Sequence, residues 1–520
     1  MDSPTHAGNN SAISVACLNC RDKHLKCDGN PEGCGRCRDL ALFCHFVPSR
    51  RGRRGQPYKY PCIDGIDSTL DEGDSILNNA SLNILTSTDL SPSYVPEPQG
   101  PPQMNKHLVK VFFEYFHPAH PILPPFDLWI MSSPPQYLIN IVEFIGLHHI
   151  SPGQVPECSN DLWAAMDIAE LALEKAQAYL LLSILFHGRR VPEHAKECIG
   201  LAIQCSFRLG LHCRELSDTV EMQNPSRSES MRRTLWEIFI VDTILAALQV
   251  GGALQFKMEI PDVSLPSEDE CFLDGHSGLS SISANDLPRR VLLDDDRISS
   301  LAYRVEATLI LRQCFIACES HAPEGTLEVL DSTISAWFHR WPSANSTILQ
   351  PNGKVNQIDL QTAMIMHCAC IYLHFSKSFL VSLLPNTSEL FCSRPPSISA
   401  HSSKPQMHTA KIVNSAVELS KLASLSTCVT CHTPFFACTL VLSSIVQVAV
   451  LTAPVGLPFG MHYSYLALNI GVLKSMGNIW GIAASSLTKL RAIAREVEQA
   501  SQEAGHGLIG SASLPPCLQS

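Results

Sequence analysis

Residues 16–44 read ACLNCRDKHLKCDGNPEGCGRCRDLALFC, and the six cysteines of this stretch, Cys17, Cys20, Cys27, Cys34, Cys37 and Cys44, decide how the rest of the chain is read. They follow C-x2-C-x6-C, six residues, then C-x2-C-x6-C again, so the second triplet repeats the first at an offset of 17 residues. Each copy opens with two thiols that one helical turn places on a single face, and its third thiol returns from a loop. Three thiolates do not complete a tetrahedron. Two separate zinc sites need eight ligands, whereas two zinc ions that share two bridging thiolates need six, the number present.

This spacing resembles that of the fungal Zn2Cys6 binuclear-cluster transcription factors. The resemblance implies two structural zinc ions, with Cys17 and Cys34 bridging them and Cys20, Cys27, Cys37 and Cys44 each holding one. So short a segment has little apolar content for a core, so metal binding supplies most of its folding free energy, on the order of 10 kcal/mol. The two copies diverge after their shared opening. The first carries Arg21, Lys23, His24 and Lys26, whereas the second carries Leu40, Leu42 and Phe43, so the first is suited to meet DNA and the second to pack. By resemblance, the first helix enters the major groove over a CGG-type triplet. Lys23 and His24 fall at the base-reading positions, where guanine offers its O6 and N7 acceptors. His24 departs from the family's usual Lys or Arg, and Asp22 adds a negative charge beside it. Arg21 and Lys26 read as phosphate contacts.

Beyond the last cysteine, Arg50, Arg51, Arg53 and Arg54 alternate with glycines. Such an arm suits the phosphate backbone, the minor groove or a nuclear import signal. Residues 1–60 hold ten Lys/Arg and five Asp/Glu, while residues 61–105 hold seven acids and no base. A basic head followed by an acidic connector is the asymmetry of a localised nucleic-acid module, although the 520-residue chain carries a formal charge of −11. Ile63, Leu70, Leu77 and Ile84 recur every seven residues, the pattern of a short coiled coil that would make a homodimer. The companion apolar row is poor and Gly73 interrupts it, which favours a disordered acidic connector and leaves monomeric binding open.

The 45% apolar content gives the remainder enough material for a large core, and no signal peptide is visible at the start. Of the 21 cysteines, the fifteen outside the head are scattered, and Cys198, Cys205 and Cys314 among them read as small core hydrophobes. The Ser/Pro-rich segment 86–103 marks a boundary, and helical periodicity then dominates. Helices are expected at 161–187, 193–211, 230–250, 301–319, 325–341, 358–384, 409–424, 434–452 and 463–500, stacked as hairpins. The uncharged run Phe435–Ala453 reads as a buried helix rather than a membrane span, because it contains Ser443, Ser444 and Gln447. KVFFEYFHPAHPILPPF at 110–126, IQCSFRLGLHCR at 203–214 and RRTLWEIFIVDTILAALQVG at 232–251 resemble the middle regulatory domain of the same fungal factors. The segment at 466–497 is similar to the C-terminal helices of secondary-metabolite cluster regulators.

Three constellations in the body invite functional readings, and each has a plainer one. Asp242, on an apolar helical run, is expected to pair with Arg232 or Arg233. His117 and His120 are separated by proline and belong to the packing motif. Cys428-Val-Thr-Cys431-His432 has haem-attachment spacing, but attachment requires an exported protein and an axial partner.

The expected fold is mainly α: a small Zn2Cys6 binuclear-cluster head, a flexible linker and a large all-α helical regulatory domain. Its boundaries are a disordered N-terminus at 1–16, the zinc-cluster DNA-binding domain at 17–47, the basic arm and acidic linker at 48–104, the body at 105–500 and a disordered tail at 501–520. The expected function is zinc-dependent, sequence-specific binding of double-stranded DNA at CGG-like sites in the nucleus. The chain would thereby regulate RNA polymerase II genes of a secondary-metabolite cluster. Acidic stretches near 64–74 and 268–296 are candidates for contact with coactivators or the transcription machinery. Neither catalysis nor a membrane is expected, since six thiolates fill all the coordination places of two zinc ions. A zinc-bearing co-regulator or adaptor without its own DNA specificity is the alternative.

Overall fold

A computed structural model describes residues 20, 26–28, 34–39, 104–154, 160–248, 252–258, 260–269, 272, 282–287, 298–341, 348–383, 404–425, 428–453 and 459–503. The chain divides into two compact units, Met1–Val95 and Pro96–Ser520. The expected disordered segment at 1–16, the arm and linker as far as 103, and the heptad row lie outside the described residues. Within the first unit, the described helix is α1, Gly35–Asp39.

The second unit is built from helices, and among the described residues there is no strand, only isolated bridges such as Ser264 with Ser283. Asn105 starts it: its side chain accepts the N–H groups of His107 and Leu108 and so caps α2, Lys106–Val111. The helix widens at Phe112–Phe116, tightens at His117–Ala119, and stops where Pro118, Pro121, Pro124 and Pro125 remove donors. After α3, Phe126–Met131, Pro135 leads into α4, Gln136–Ile150, which packs on α2. Gly146 makes that approach possible, since a Cβ there would lie 2.1 Å from the Leu108 carbonyl oxygen.

The single helix expected at 161–187 is two, α5 (Asn160–Ile168) and α6 (Leu173–Gly188). The letters between them, Ala-Glu-Leu-Ala, are good helix formers, so the break is tertiary. Lys175 reaches back to the Ala169 carbonyl at 3.0 Å, satisfying the end of α5 while α6 turns to pair with α7, Pro192–Arg208. In the turn between α6 and α7, Arg190 stands at φ 67° and Pro192 opens the next helix. Helices α8 (Arg214–Gln223) and α9 (Pro225–Leu248) follow. From Ser228 to Leu248, α9 is buried on every side, which makes it a central helix.

The second half stacks α10 (Ser300–Glu319), α11 (Glu324–Arg340), α12 (Gln357–His374), α13 (Pro405–Ser424), α14 (Phe435–Thr452), α15 (Phe459–Met476) and α16 (Gly481–Glu503). One continuous apolar core runs from Val109 to Ala494. The segment expected as one helix at 463–500 breaks at Gly477 and Asn478, and its second half continues to Glu503.

Helix α14 is the uncharged run, and α13, α15 and α16 pack around it. Its polar residues face partners. The Asn469 amide nitrogen lies 3.1–3.2 Å from the hydroxyls of Ser420, Ser443 and Ser444, and His462 Nδ1 lies 2.5 Å from Gln447 Oε1. Eighteen residues rise about 27 Å, short of a hydrocarbon core of about 30 Å. No helix among the described residues is long and apolar enough to cross a membrane.

Candidate metal centre and DNA-facing head

The sulfur atoms of Cys20, Cys27 and Cys34 all lie within 4.8 Å of one another, with Cys20 Sγ 3.7 Å from Cys34 Sγ. Tetrahedral zinc at about 2.3 Å from each sulfur sets neighbouring sulfurs about 3.8 Å apart, so this donor set fits the metal. The loop that brings them together has a visible clasp. Asp28, just after Cys27, accepts the Gly35 N–H at 2.8 Å, which ties the end of the first repeat to the start of α1. Cys34 sits at the head of α1, and Arg38 N–H closes onto its carbonyl at 3.0 Å. Its sulfur accepts the Cys37 N–H at 3.4 Å.

The helical spacing turns Cys34 and Cys37 inward, and both are buried, while Arg36 and Arg38 are exposed on the outer face. These two arginines are cations that reading the second repeat as a packing half overlooked; their alternation about Cys37 was the available signal. Lys26 is exposed beside Cys27. Cys17, Cys44, Arg21, Lys23, His24, Arg50, Arg51, Arg53 and Arg54 lie outside the described residues.

In the body, the candidate polar residues are absorbed by pairing. Asp242 does not meet Arg232 or Arg233. Ten residues along one helix is about 15 Å, beyond side-chain reach. It pairs instead with Arg312 of α10 at 3.5 Å and accepts the N–H groups of Gln255 and Phe256 at 3.0 and 3.1 Å. Arg232 and Arg233 both serve Glu229, and Arg233 also holds Asp269 at 2.7 Å. Glu268 accepts the N–H and hydroxyl of Ser300. The described part of the acidic stretch near 268 is therefore engaged within the body.

His117 Nε2 meets the Leu123 carbonyl at 2.9 Å. His120 bridges Glu237 through Nδ1 at 2.7 Å and Thr433 through Nε2 at 3.1 Å, the pattern of a neutral imidazole that donates to the carboxylate and accepts from the hydroxyl. Burial opposes ionisation of Glu237, but the guanidinium of Arg304 and the His120 ring outweigh it and hold the carboxyl below its ordinary range. Arg304 also donates to Gln361 Oε1 and the Ala119 carbonyl through a terminal nitrogen, so the pair sits in a buried hydrogen-bonded network in which the Arg304 Nε has no partner. His432 Nδ1 lies 2.9 Å from Gln357 Oε1 within the core, an environment of packing rather than haem attachment.

Two family models match the chain: the fungal Zn(2)-Cys(6) binuclear cluster domain at residues 15–54 and the fungal specific transcription factor domain at residues 109–278. The chain thus carries the two domains for which fungal Zn2Cys6 transcription factors are named, a pairing that supports a DNA-binding transcription regulator, and a zinc-cluster head of this kind takes two zinc ions. Among curated proteins it is similar to the C6 finger domain transcription factor iacK of Pestalotiopsis fici, with 25% identity over 554 residues covering 93% of this chain and 80% of that protein. No solved structure matches the chain.

Proposed function

We propose that the chain is a nuclear, sequence-specific regulator that reads CGG-like triplets and controls a secondary-metabolite gene cluster. The observation that carries this reading is the convergence of Cys20, Cys27 and Cys34, which the spacing of the repeat anticipates. In this reading Cys17 completes the first zinc site, Cys37 and Cys44 complete the second, and Cys17 and Cys34 serve both. The position of Cys34, 3.7 Å from Cys20 and in contact with the Cys37 N–H, supports its bridging role. When bound, the two ions cross-link the head and leave no open coordination place, so their role is structural and the chain is not an enzyme.

The chain's own residues supply the recognition. Lys23 and His24 reach base edges. Arg21, Lys26, Arg50, Arg51, Arg53 and Arg54 neutralise phosphates, with Arg36 and Arg38 adding charge on the second repeat. The domain limits are a head at 17–47, an arm and linker at 48–104 and a body at 105–500. Homodimerisation through the heptad row and recruitment of coactivators belong to the same reading.

Selection of random duplex DNA by the zinc-loaded full chain tests it, with zinc-dependent enrichment of a CGG-like triplet expected. Lys23→Ala should cost about 1–3 kcal/mol at the triplet and relax its sequence. Arg51→Ala should weaken all sequences alike and flatten the salt dependence. A folded, zinc-loaded chain that enriches no sequence would move the assignment to an adaptor that borrows its specificity.

A further inference from the structure

The turn before α14 brings two thiols together. Cys428 and Cys431 bracket the short turn Val429–Cys431, with their sulfurs 3.5 Å apart, and Cys428 is exposed. Every other described cysteine of the body is buried or partly buried, and most stand inside the apolar core. Among the described residues no third Cys, His or carboxylate joins this pair as a metal ligand. His432, next in sequence, turns inward to Gln357. Two adjacent thiols, one of them open to solvent and lacking a third ligand, have the arrangement of a redox couple rather than of a metal site.

We propose that Cys428 and Cys431 form a reversible intramolecular disulfide with hydrogen peroxide as oxidant, at a redox site separate from the zinc head. Cys428 thiolate attacks one peroxide oxygen: an S–O bond forms, the O–O bond breaks, and hydroxide leaves and takes up the proton Cys428 has released. Cys431 sulfur then attacks the sulfenic sulfur of Cys428. The S–S bond forms, the S–O bond breaks, and the departing hydroxide takes the Cys431 proton. The two thiols give up two electrons and two protons, and the peroxide becomes two waters. A thiol of the glutathione class reverses the step by exchange through a mixed disulfide.

The surroundings divide the two roles. Cys428 Sγ lies 3.0 Å from the Thr430 hydroxyl. Burial works against ionisation of Cys428, but contacts from Thr430 and Cys431, including their N–H groups, outweigh it and hold the thiol below its ordinary value. Burial first, and then Cys428 itself, pushes Cys431 up to about 12. Cys428 is thus the attacking thiol and Cys431 the resolving one, whose proton is freed more readily once the Cys428 charge is consumed. Thr433, two residues beyond the pair, reaches His120, so a bond made at this turn acts on the anchor of α14.

The test exposes the full-length, zinc-loaded chain to a small excess of hydrogen peroxide, alkylates the remaining thiols and maps peptides by mass spectrometry while zinc content is followed. The expected result is a Cys428–Cys431 peptide two hydrogens lighter and closed to alkylation, reopened by reduced glutathione, with both zinc ions retained. Cys431→Ser should stop at a Cys428 sulfenic acid that dimedone traps, and Cys428→Ser should slow oxidation at this turn about tenfold or more. Each variant's thermal transition confirms that it is folded. Zinc release before any change at this turn, or oxidation at Cys431 that proceeds at the wild-type rate in Cys428→Ser, would overturn the assignment.

Discussion

The head and the body of this chain handle cysteine and charge in opposite ways. In the head the described core is itself sulfur: Cys20, Cys34 and Cys37 are buried, with Cys27 against them, and the cations lie outside. In the body most described cysteines are fillers in an apolar core, and charge goes inside. Glu229, Glu237, Arg233 and Arg304 are buried and paired with one another or with the backbone. The head thus depends on ligand identity, where one atom type at one spacing decides whether it folds. The body depends on complementarity, where a buried charge is tolerable only while its partner remains.

The sharpest way to separate the two regions is to remove the metal. Chelation, or Cys34→Ser, should abolish DNA binding with a loss on the order of 10 kcal/mol in the head, while the thermal transition of the body stays in place. A Cys34→Ser chain that still carried two zinc ions would show that this thiolate does not bridge. The converse change is Arg304→Met, which leaves Glu237 buried without its guanidinium. It should cost the body about 3–5 kcal/mol and leave zinc content and head binding unaltered; a chain as stable as the parent would remove the distinction drawn between the two regions.

Acid provides the mildest separation. Burial lowers His117, His187, His367 and His432 to about 4 each, from an ordinary value of 6.5. Between those values the unfolded chain binds the extra protons, so this contribution is complete above about pH 6.5, falls as pH drops toward about 4, and is level below. From pH 7 to 6 the loss is on the order of 0.5 kcal/mol per histidine. It should appear equally in zinc-free and zinc-loaded chains when tryptophan fluorescence follows the body.

Coordination chemistry made the head readable, because zinc demands ligands at spacings that one chain segment can display. The three thiols that converge, Cys20, Cys27 and Cys34, are all within the repeat. Helices were readable where apolar period and stop signals agreed, as at Ser300–Glu319 and Glu324–Arg340. The division between α5 and α6 carried no such signal, since Lys175 and the α6–α7 pairing impose it through contacts. The break at Gly477 and Asn478 did carry one, in letters that favour a helix end. Asp242 was recognisable as a buried carboxylate, but its partner Arg312 is 70 residues away and no local pattern specifies it. Proximity of Cys428 and Cys431 was visible as spacing, whereas the exposure that separates them from the other body thiols exists only in the fold.

The chain of contacts Ala119–Arg304–Glu237–His120–Thr433 bears on modularity. It joins residues from the first and last thirds of the body, whereas the matched regulatory family segment ends at residue 278. Exchange of that segment alone between relatives would part Glu237 from Arg304 and His120 from Thr433, and would uncover the faces that α12 and α14 close. The unit that recombination can move intact is therefore the whole helical body, and its hallmark segment travels successfully only with the less recognisable sequence that completes it.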